Sequence, residues 1–274
     1  MFTKNWKFVV ALVAVAVLAQ SALAGFVTYT ETFPNDVNPF PGSTYYPEWS
    51  VLRTPSDSTG SKVDAEVLHE SGTQSTGKNV TWSVTAPAAF GAGYSNFGTD
   101  VTVSSDLGLI DADIIGNEEM GLRLGNVCFQ YATGYALSAG HGLGRYRQIT
   151  TDPATSILIN PVSLSYIPVL GSLRDHMTVH AVKNGDNWDF TVSLTETSTG
   201  GSFTDVTRTF SDTIVTGGTG VIDKVGLRSN EAAGRFDHSF DNFQVTINQI
   251  PEPGTLALLG TGVLGLLARR RRRV

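Results

Sequence analysis

The chain has 274 residues, 41% of them hydrophobic, and is therefore long enough for one domain with a sizeable core. The chain has 19 basic and 25 acidic residues. Seven basic residues and one acidic residue lie at 1–24 and 251–274, which leaves 12 basic and 24 acidic residues at 25–250. That body carries a formal charge near −12, against −6 for the whole chain. An acidic surface repels nucleic acid and anionic lipid, so no nucleic-acid partner is predicted.

Residues 1–24 have the pattern of an export signal. Two lysines precede an apolar run at 8–19, and the small residues Ala22 and Ala24 stand just before Gly25. Signal peptidase reads this order of basic, apolar and small residues, so we expect it to cleave after Ala24. An uncleaved membrane anchor and a buried helix remain alternatives, although the run is short for a bilayer span.

Alternating apolar and polar residues follow in many short segments, which is the period of half-buried strands. The clearest segment, MTVHAVKNGDNWDFTVSL at 177–194, holds two alternating runs around Asn184-Gly185. That dipeptide accepts the positive φ angles of a tight turn, so a β-hairpin is predicted. Cys128 is the only cysteine of the chain, which excludes an intramolecular disulfide, and its strand-like neighbours predict a buried, inert thiol.

Intervals rich in Gly, Ser, Thr, Asn and Asp separate these runs, and no long helical period lies between them. A parallel α/β fold would need crossover helices. The sequence therefore predicts an all-β domain at 25–250, an antiparallel two-sheet β-sandwich or jelly roll.

Three segments carry a resemblance to a known family: TYTETFPND at 28–36, the hairpin at 177–194, and the closing segment at 225–247 with its FDNFQV pattern. Together they resemble the concanavalin A-like lectin/glucanase sandwich, including the laminin-G-like modules. The resemblance implies that the last strand returns to pair beside the first. It implies no particular activity.

Glycoside hydrolases of this fold carry an E-x-D-x-x-E strand pattern, which this sequence lacks. The nearest cluster is DADIIGNEE, with Asp111, Asp113, Glu118 and Glu119. Asp111 and Asp113 share a face if the segment is a strand. We interpret the cluster first as a solvated acidic loop, with a calcium site of Asp111, Asp113 and Glu118, or a catalytic carboxylate pair, as alternatives. No other cofactor is predicted.

Other catalytic templates, such as G-x-S-x-G, H-E-x-x-H and phosphate-binding loops, are also missing from the sequence. The neighbouring pairs His69-Glu70 and Asp175-His176 are interpreted as polar surface contacts. No catalytic residue is predicted.

Aromatic residues in the Pro-rich segment PFPGSTYYPEWS leave one further alternative. Exposed Tyr45, Tyr46 and Trp49 would stack on sugar rings. Tryptophans of a sandwich more often belong to its core, and we favour that interpretation. The residues of a carbohydrate site are therefore not predicted.

The last 24 residues, PEPGTLALLGTGVLGLLARRRRRV, combine three parts. Residues 255–268 carry no charge, which predicts a short transmembrane helix of about 21 Å. The arginine cluster that follows keeps the C-terminus in the cytoplasm and comprises Arg269, Arg270, Arg271, Arg272 and Arg273. A basic tail that binds nucleic acid or anionic lipid is the weaker alternative.

This order resembles the PEP-CTERM sorting signal. The resemblance implies that an exosortase recognises Pro251, Glu252 and Pro253, and that the source is a Gram-negative bacterium. The residues at 251–274 are then the sorting signal, and the exported protein is held transiently in the inner membrane before it reaches the cell surface or extracellular matrix.

The sequence thus predicts a non-enzymatic surface or matrix protein, processed by signal peptidase and exosortase and binding polysaccharide. A carbohydrate-active enzyme on the same fold, with carboxylates that meet only in three dimensions, is one alternative. A simple tail-anchored envelope protein is the other.

Overall fold

The computed structural model describes residues 25–37, 40, 45–54, 61–74, 78–112, 119–132, 143–151, 155–163, 173–197, 200–231 and 234–249. Residues Thr28–Ile247 form one compact unit. A second unit combines Met1–Val27 with Asn248–Val274, and only its residues 25–27 and 248–249 are among those described. The predicted cleavage residues Ala22 and Ala24 and the predicted helix at 255–268 lie outside the described residues.

Eight antiparallel strands form the first sheet, in the order β13-β12-β11-β6-β15-β4-β3, with β1 paired to β15. Their bounds are β1 Gly25–Glu31, β3 Ser61–Asp64, β4 Val67–Gln74, β6 Asp100–Ala112, β11 Asp175–Asn184, β12 Asn187–Glu196, β13 Ser202–Ser211 and β15 Gly234–Gln249.

Seven antiparallel strands form the second sheet, in the order β10-β9-β8-β7-β14-β5-β2. Their bounds are β2 Trp49–Thr54, β5 Lys78–Thr85, β7 Glu119–Leu124, β8 Val127–Ala132, β9 Leu143–Thr151, β10 Thr155–Ser163 and β14 Lys224–Glu231. Two one-turn helices, α1 (Ala86–Phe90) and α2 (Asp212–Thr216), complete the described elements. The predicted antiparallel two-sheet sandwich is confirmed.

The predicted hairpin is confirmed, with a one-residue difference in its turn. Asn184 pairs with Asn187, so the turn residues are Gly185 and Asp186. Gly185 has φ 59°, and glycine at the first central position is typical of a type II′ turn. The positive φ therefore falls on Gly185 alone, and Asn184 ends the strand.

The first and last strands pair, as the family resemblance implied. The hydroxyls of Thr28 on β1 and Thr246 on β15 lie 3.0 Å apart. On the inner side of β15, Phe243, Val245 and Ile247 are buried, as the period of two of a half-buried strand requires.

Aromatic side chains join the inner faces of the two sheets. Trp82 of β5 contacts Phe240 of β15 with ring centroids 5.4 Å apart. Phe129 of β8 stacks on Phe203 of β13 at 6.2 Å. Burial of such large rings contributes roughly 2 kcal/mol or more for each side chain, so these contacts hold the sheets together.

Candidate functional site

Short hydroxyl side chains cover the outer face of the eight-stranded sheet, which we call the hydroxyl face. One row crosses six neighbouring strands with five hydroxyl side chains and one amide: Thr30, Gln244, Ser104, Thr178, Ser193 and Thr204. None of these side chains is buried. Strands lie about 4.8 Å apart, so the row extends for about 24 Å. A second row runs parallel to it and comprises Thr28, Thr246, Thr102, His180 and Thr191.

Two aspartate side chains on this face are each held in position by a histidine. His176 Nδ1 lies 2.7 Å from Asp106 Oδ1, and His180 Nε2 lies 2.8 Å from Asp100 Oδ1. The amide of Asn242 donates to the other Asp106 oxygen at 2.7 Å. The hydrogen bond with Asp106 raises the pKa of His176, and the same bond lowers the pKa of Asp106. Both carboxylates are therefore held in place by specific partners.

Four arginines lie on the outer face of the seven-stranded sheet, which we call the arginine face: Arg123, Arg145, Arg147 and Arg228. Glu119 is buried there and accepts hydrogen bonds from Arg145 and from Arg147 Nε, the latter at 2.9 Å. Glu119 was predicted to lie in a solvated acidic loop. That interpretation is wrong for Glu119, because this residue begins β7 and its carboxylate pairs with two arginines of β9.

Two glycines form the centre of the arginine face. A Cβ atom on Gly121 would lie 1.9 Å from the carbonyl oxygen of Phe129, and one on Gly226 would lie 1.9 Å from that of Trp82. The paired strands thus leave no room for any other residue type at these two positions. At these two positions the outer face of the sheet therefore consists of backbone atoms alone.

A buried carboxylate lies between the sheets at one end of the sandwich. Asp175 is fully buried, and its Oδ2 accepts a hydrogen bond of 2.7 Å from the Tyr131 hydroxyl. Glu196, also buried, stands directly opposite on β12. Burial, with a smaller contribution from the charge of Glu196, raises the pKa of Asp175 to about 7. The prediction of a surface contact for Asp175-His176 is wrong for Asp175, because alternation along β11 points it into the core.

A second group of buried polar side chains involves β4 and β15, two paired strands of the eight-stranded sheet. Glu70 is fully buried and accepts a hydrogen bond from the Ser61 hydroxyl. His238, opposite Glu70 on β15, hydrogen-bonds Ser229 of the other sheet through Nδ1. The surface interpretation of His69-Glu70 is therefore wrong for Glu70. Serine, histidine and glutamate come together here, but burial removes the serine from contact with a substrate in solution.

Of the three predicted calcium ligands, Asp111 is the one that lies among the described residues. Asp111 lies on β6 opposite Asp237, whereas Asp113 and Glu118 lie outside the described residues. Within the described part of the chain, no cluster of three His, Cys, Asp or Glu side chains has metal-binding geometry. The calcium site stays a prediction.

The aromatic residues near the N-terminus belong mainly to the core. Tyr46 and Trp49 are buried, and the Tyr46 hydroxyl donates to the carbonyl of Asn35 at 2.8 Å. Tyr45 is exposed. Cys128 is buried, which confirms the predicted burial, and burial raises the pKa of its thiol.

The grouping of these four arginines was not predicted, although a repeated tripeptide in the sequence indicates part of it. The tripeptide Gly-Leu-Arg occurs at 121–123 and again at 226–228. Alternation places the glycine and the arginine of each copy on one face of its strand. The hydroxyl face had a similar signal in the outward Thr and Ser residues of 177–194.

Comparison with solved structures finds lectins and a carbohydrate-binding module. Lectin I from Ulex europaeus, in complex with the methyl glycoside of α-L-fucose, has 12% identity and a TM-score of 0.46, with 81% of this chain and 97% of that chain covered. Winged bean acidic lectin complexed with methyl-α-D-galactose has 10% identity and a TM-score of 0.47, with 82% and 99% covered. Carbohydrate-binding module CBM66 from Bacillus subtilis has 12% identity and a TM-score of 0.38, with 72% and 94% covered.

A comparison with curated proteins finds no match to this sequence. Among the described residues, no helix has the length and apolar character needed to cross a membrane. At the C-terminus, residues 249–273 match the family model of the PEP-CTERM protein-sorting motif. The predicted recognition residues Pro251, Glu252 and Pro253 fall within this match and outside the described residues. The match confirms the sequence resemblance: the chain ends in a PEP-CTERM protein-sorting motif, which implies export and sorting by an exosortase.

Proposed function

We propose that this protein is exported through its N-terminal signal peptide, sorted by an exosortase, and presents a non-enzymatic β-sandwich that binds polysaccharide at the cell surface or in the matrix. The sorting motif at 249–273 supports the route. We propose that the helix predicted from the sequence at 255–268 anchors the protein transiently in the inner membrane, with the arginine cluster in the cytoplasm.

The hydroxyl face is the observation that carries polysaccharide binding. Solvated sheet faces are polar in general, but this one presents five short hydroxyl side chains and the amide of Gln244 in register over about 24 Å. Such a row leaves a flat surface whose donors and acceptors repeat from strand to strand. An extended polysaccharide, which also repeats hydroxyl groups at regular intervals, fits a surface of this kind better than a compact ligand does.

The same face gives no support to catalysis. Hydrolysis of a glycosidic bond needs two carboxyl groups that face one substrate. Asp106 and Asp100 are each engaged with a histidine. Asp241, which stands opposite Asp106, accepts a hydrogen bond of 2.6 Å from the backbone N–H of Asn242. The opposed pair of Asp175 and Glu196 is buried in the core. We therefore infer a binding role, and we expect no release of reducing ends when the purified protein is incubated with the polysaccharide.

Thr178→Arg tests the binding face. Thr178 lies at the centre of the row, between Ser104 and Ser193, so a long charged side chain there obstructs the flat surface. We expect affinity for the exopolysaccharide of the producing bacterium to fall at least about tenfold, a loss of about 1.4 kcal/mol. Affinity electrophoresis of the full-length protein in detergent measures it.

Thr213→Arg is the matched control, because Thr213 is exposed on α2, away from the row. It should bind as the wild type does. Equal binding by the wild type and the Thr178 variant would exclude the hydroxyl face as the ligand surface. Release of reducing ends would favour the carbohydrate-active enzyme instead.

A further inference from the structure

Two exposed histidines flank the centre of the hydroxyl face. The outward side chains of β11 include His176, Thr178 and His180, in that order along the strand. Thr178 lies at the centre of the first row, and successive outward residues of a strand are about 7 Å apart. The side chains of His176 and His180 are 46% and 41% exposed. Both rings can therefore contact a polymer that lies across Thr178.

An aspartate of β6 orients each ring. Asp106 accepts a hydrogen bond of 2.7 Å from His176 Nδ1, and Asp100 accepts one of 2.8 Å from His180 Nε2. One nitrogen of each ring is thus engaged with its aspartate, which leaves His176 Nε2 and His180 Nδ1 for other contacts. His176 Nε2 lies 3.4 Å from the Thr178 hydroxyl, at the centre of the row. A ring that is oriented before binding loses little conformational freedom when a ligand binds.

Protonation changes what these rings offer to a sugar. In the neutral imidazole the second nitrogen is an acceptor, whereas in the imidazolium it is a donor and the ring is charged. A hydrogen bond from a charged donor is roughly twice as strong as one between neutral groups. Protonation also brings the net charge of each His–Asp pair from negative to zero. The charged rings therefore bind sugar oxygen atoms more tightly than the neutral rings do.

The surroundings of His176 favour its protonated form. On β6 it contacts Asp106, and on β12 it stands opposite the neutral Thr195. On β15, Asp241 stands opposite Asp106, and the Asn242 amide donates to the second Asp106 oxygen. The hydrogen bond with Asp106 raises the pKa of His176 above its usual value of 6.5. This ring therefore becomes charged under mildly acidic conditions.

The surroundings of His180 have the same sign of charge. His180 contacts Asp100 on β6 and stands opposite the neutral Thr191 on β12, and Asp189 is the next outward residue of that strand. Among the described residues, the outward positions of β6, β11 and β12 carry no lysine or arginine, and Arg174 precedes β11. Carboxylates rather than cations thus surround both rings.

We propose that His176 and His180 contact the polysaccharide on the hydroxyl face and that binding strengthens as the surroundings become acidic. This inference rests on the polysaccharide binding proposed for that face. The bound polymer prefers the charged rings, so the affinity is highest below the pKa of His176 and decreases as pH rises through it. Asp106 and Asp100 are positioning residues, because they act through the two rings.

Binding of the full-length protein in detergent to the immobilised exopolysaccharide of the producing bacterium, at about pH 5.5 and about pH 8, tests the inference. The wild type should bind about tenfold more tightly at the lower pH, as expected if the polymer raises the pKa of His176 by about one. A double variant, His176→Gln with His180→Gln, should bind equally at both pH values and more weakly than the wild type at the lower one. Titration of the polymer itself would persist in this variant, so the difference between the two proteins reports the histidines.

His69→Gln is the matched control. His69 Nδ1 lies 3.3 Å from Asp237 Oδ1 in a third His–Asp pair, on β4 and β15 and away from both rows. This variant should keep the affinity and the pH dependence of the wild type. Asp106→Asn should move the pH dependence to lower pH, because His176 loses the carboxylate that raises its pKa. A merely structural role of Asp106 would leave the pH profile where it is.

The outcomes separate this inference from the proposed function. Equal wild-type affinity at both pH values, or a double variant that keeps the wild-type pH dependence, would overturn the inference. Loss of binding in Thr178→Arg would in that case still support the hydroxyl face as the ligand surface. Absence of wild-type binding at either pH would reject polysaccharide binding, and the inference with it.

Discussion

Asp175→Asn should make the protein more stable than the wild type at pH 8 and remove most of the fall in stability between about pH 4 and pH 7. In the wild type, the folded state raises the pKa of Asp175 from 3.8 to about 7. Over that interval the folded protein keeps a proton that the unfolded chain releases, so stability is full at low pH and decreases as pH rises. About three pKa units correspond to roughly 4 kcal/mol.

The substitution preserves the local contacts. The amide oxygen of asparagine accepts the Tyr131 hydroxyl as the carboxyl group does, and the group no longer opposes Glu196 with a negative charge. Denaturant unfolding at several pH values measures the effect. Asp189→Asn is the control, because Asp189 lies on the hydroxyl face, where hydrogen bonds from Thr209 and Asn184 hold its pKa below the usual range. Parallel pH profiles for the wild type and Asp175→Asn would contradict the account of this buried carboxyl group.

Gly226→Ala should destabilise the fold by more than about 3 kcal/mol. The new Cβ would lie 1.9 Å from the carbonyl oxygen of Trp82 and 2.9 Å from the Cα of Ser83. Both are backbone atoms of β5, which is paired on both sides, and they move only if the pairing of β14 with β5 is distorted. Arg123 stands opposite Gly226 and donates from Nη1 to Ser83 Oγ at 3.0 Å. The new methyl group would occupy the space that this side chain crosses. We expect a large decrease in the midpoint of thermal unfolding, or failure to accumulate in the cell.

Gly93→Ala is the matched control for this substitution. A Cβ on Gly93 meets nothing within 4 Å, and this residue is exposed in a loop. It should be neutral or slightly stabilising, because alanine restricts the unfolded chain more than glycine does. A Gly226→Ala protein as stable as Gly93→Ala would show that the pairing of the two strands has room for a side chain.

The sequence was informative wherever a local pattern decides the structure. Alternation and Asn184-Gly185 predict the hairpin, because a period of two and a glycine turn need no distant partner. The buried carboxyl groups were not predicted. Aspartate is usually found at the surface. The burial of Asp175 depends on a hydrogen bond from Tyr131, 44 residues away in the sequence. Its position two residues before Met177 on one face of β11 was the available signal.

The arginine face illustrates a second limit. Gly121 and Gly226 look like ordinary strand glycines in the sequence, and their role appears only when the register of β7 and β14 sets each opposite an arginine. Register depends on pairing over a separation of about a hundred residues, which no local pattern encodes. The sorting motif is the opposite case, since the order of its parts along the chain is itself the signal.

Intact-mass analysis of the surface-exposed protein, in cells with and without the host's exosortase, tests the central claim that the C-terminal motif directs sorting. In cells with the enzyme, we predict a form that begins at Gly25 and has lost the arginine cluster at 269–273. In cells without it, the protein should stay in the membrane and retain Val274. A surface form that ends at Val274 in both strains would contradict sorting through this motif.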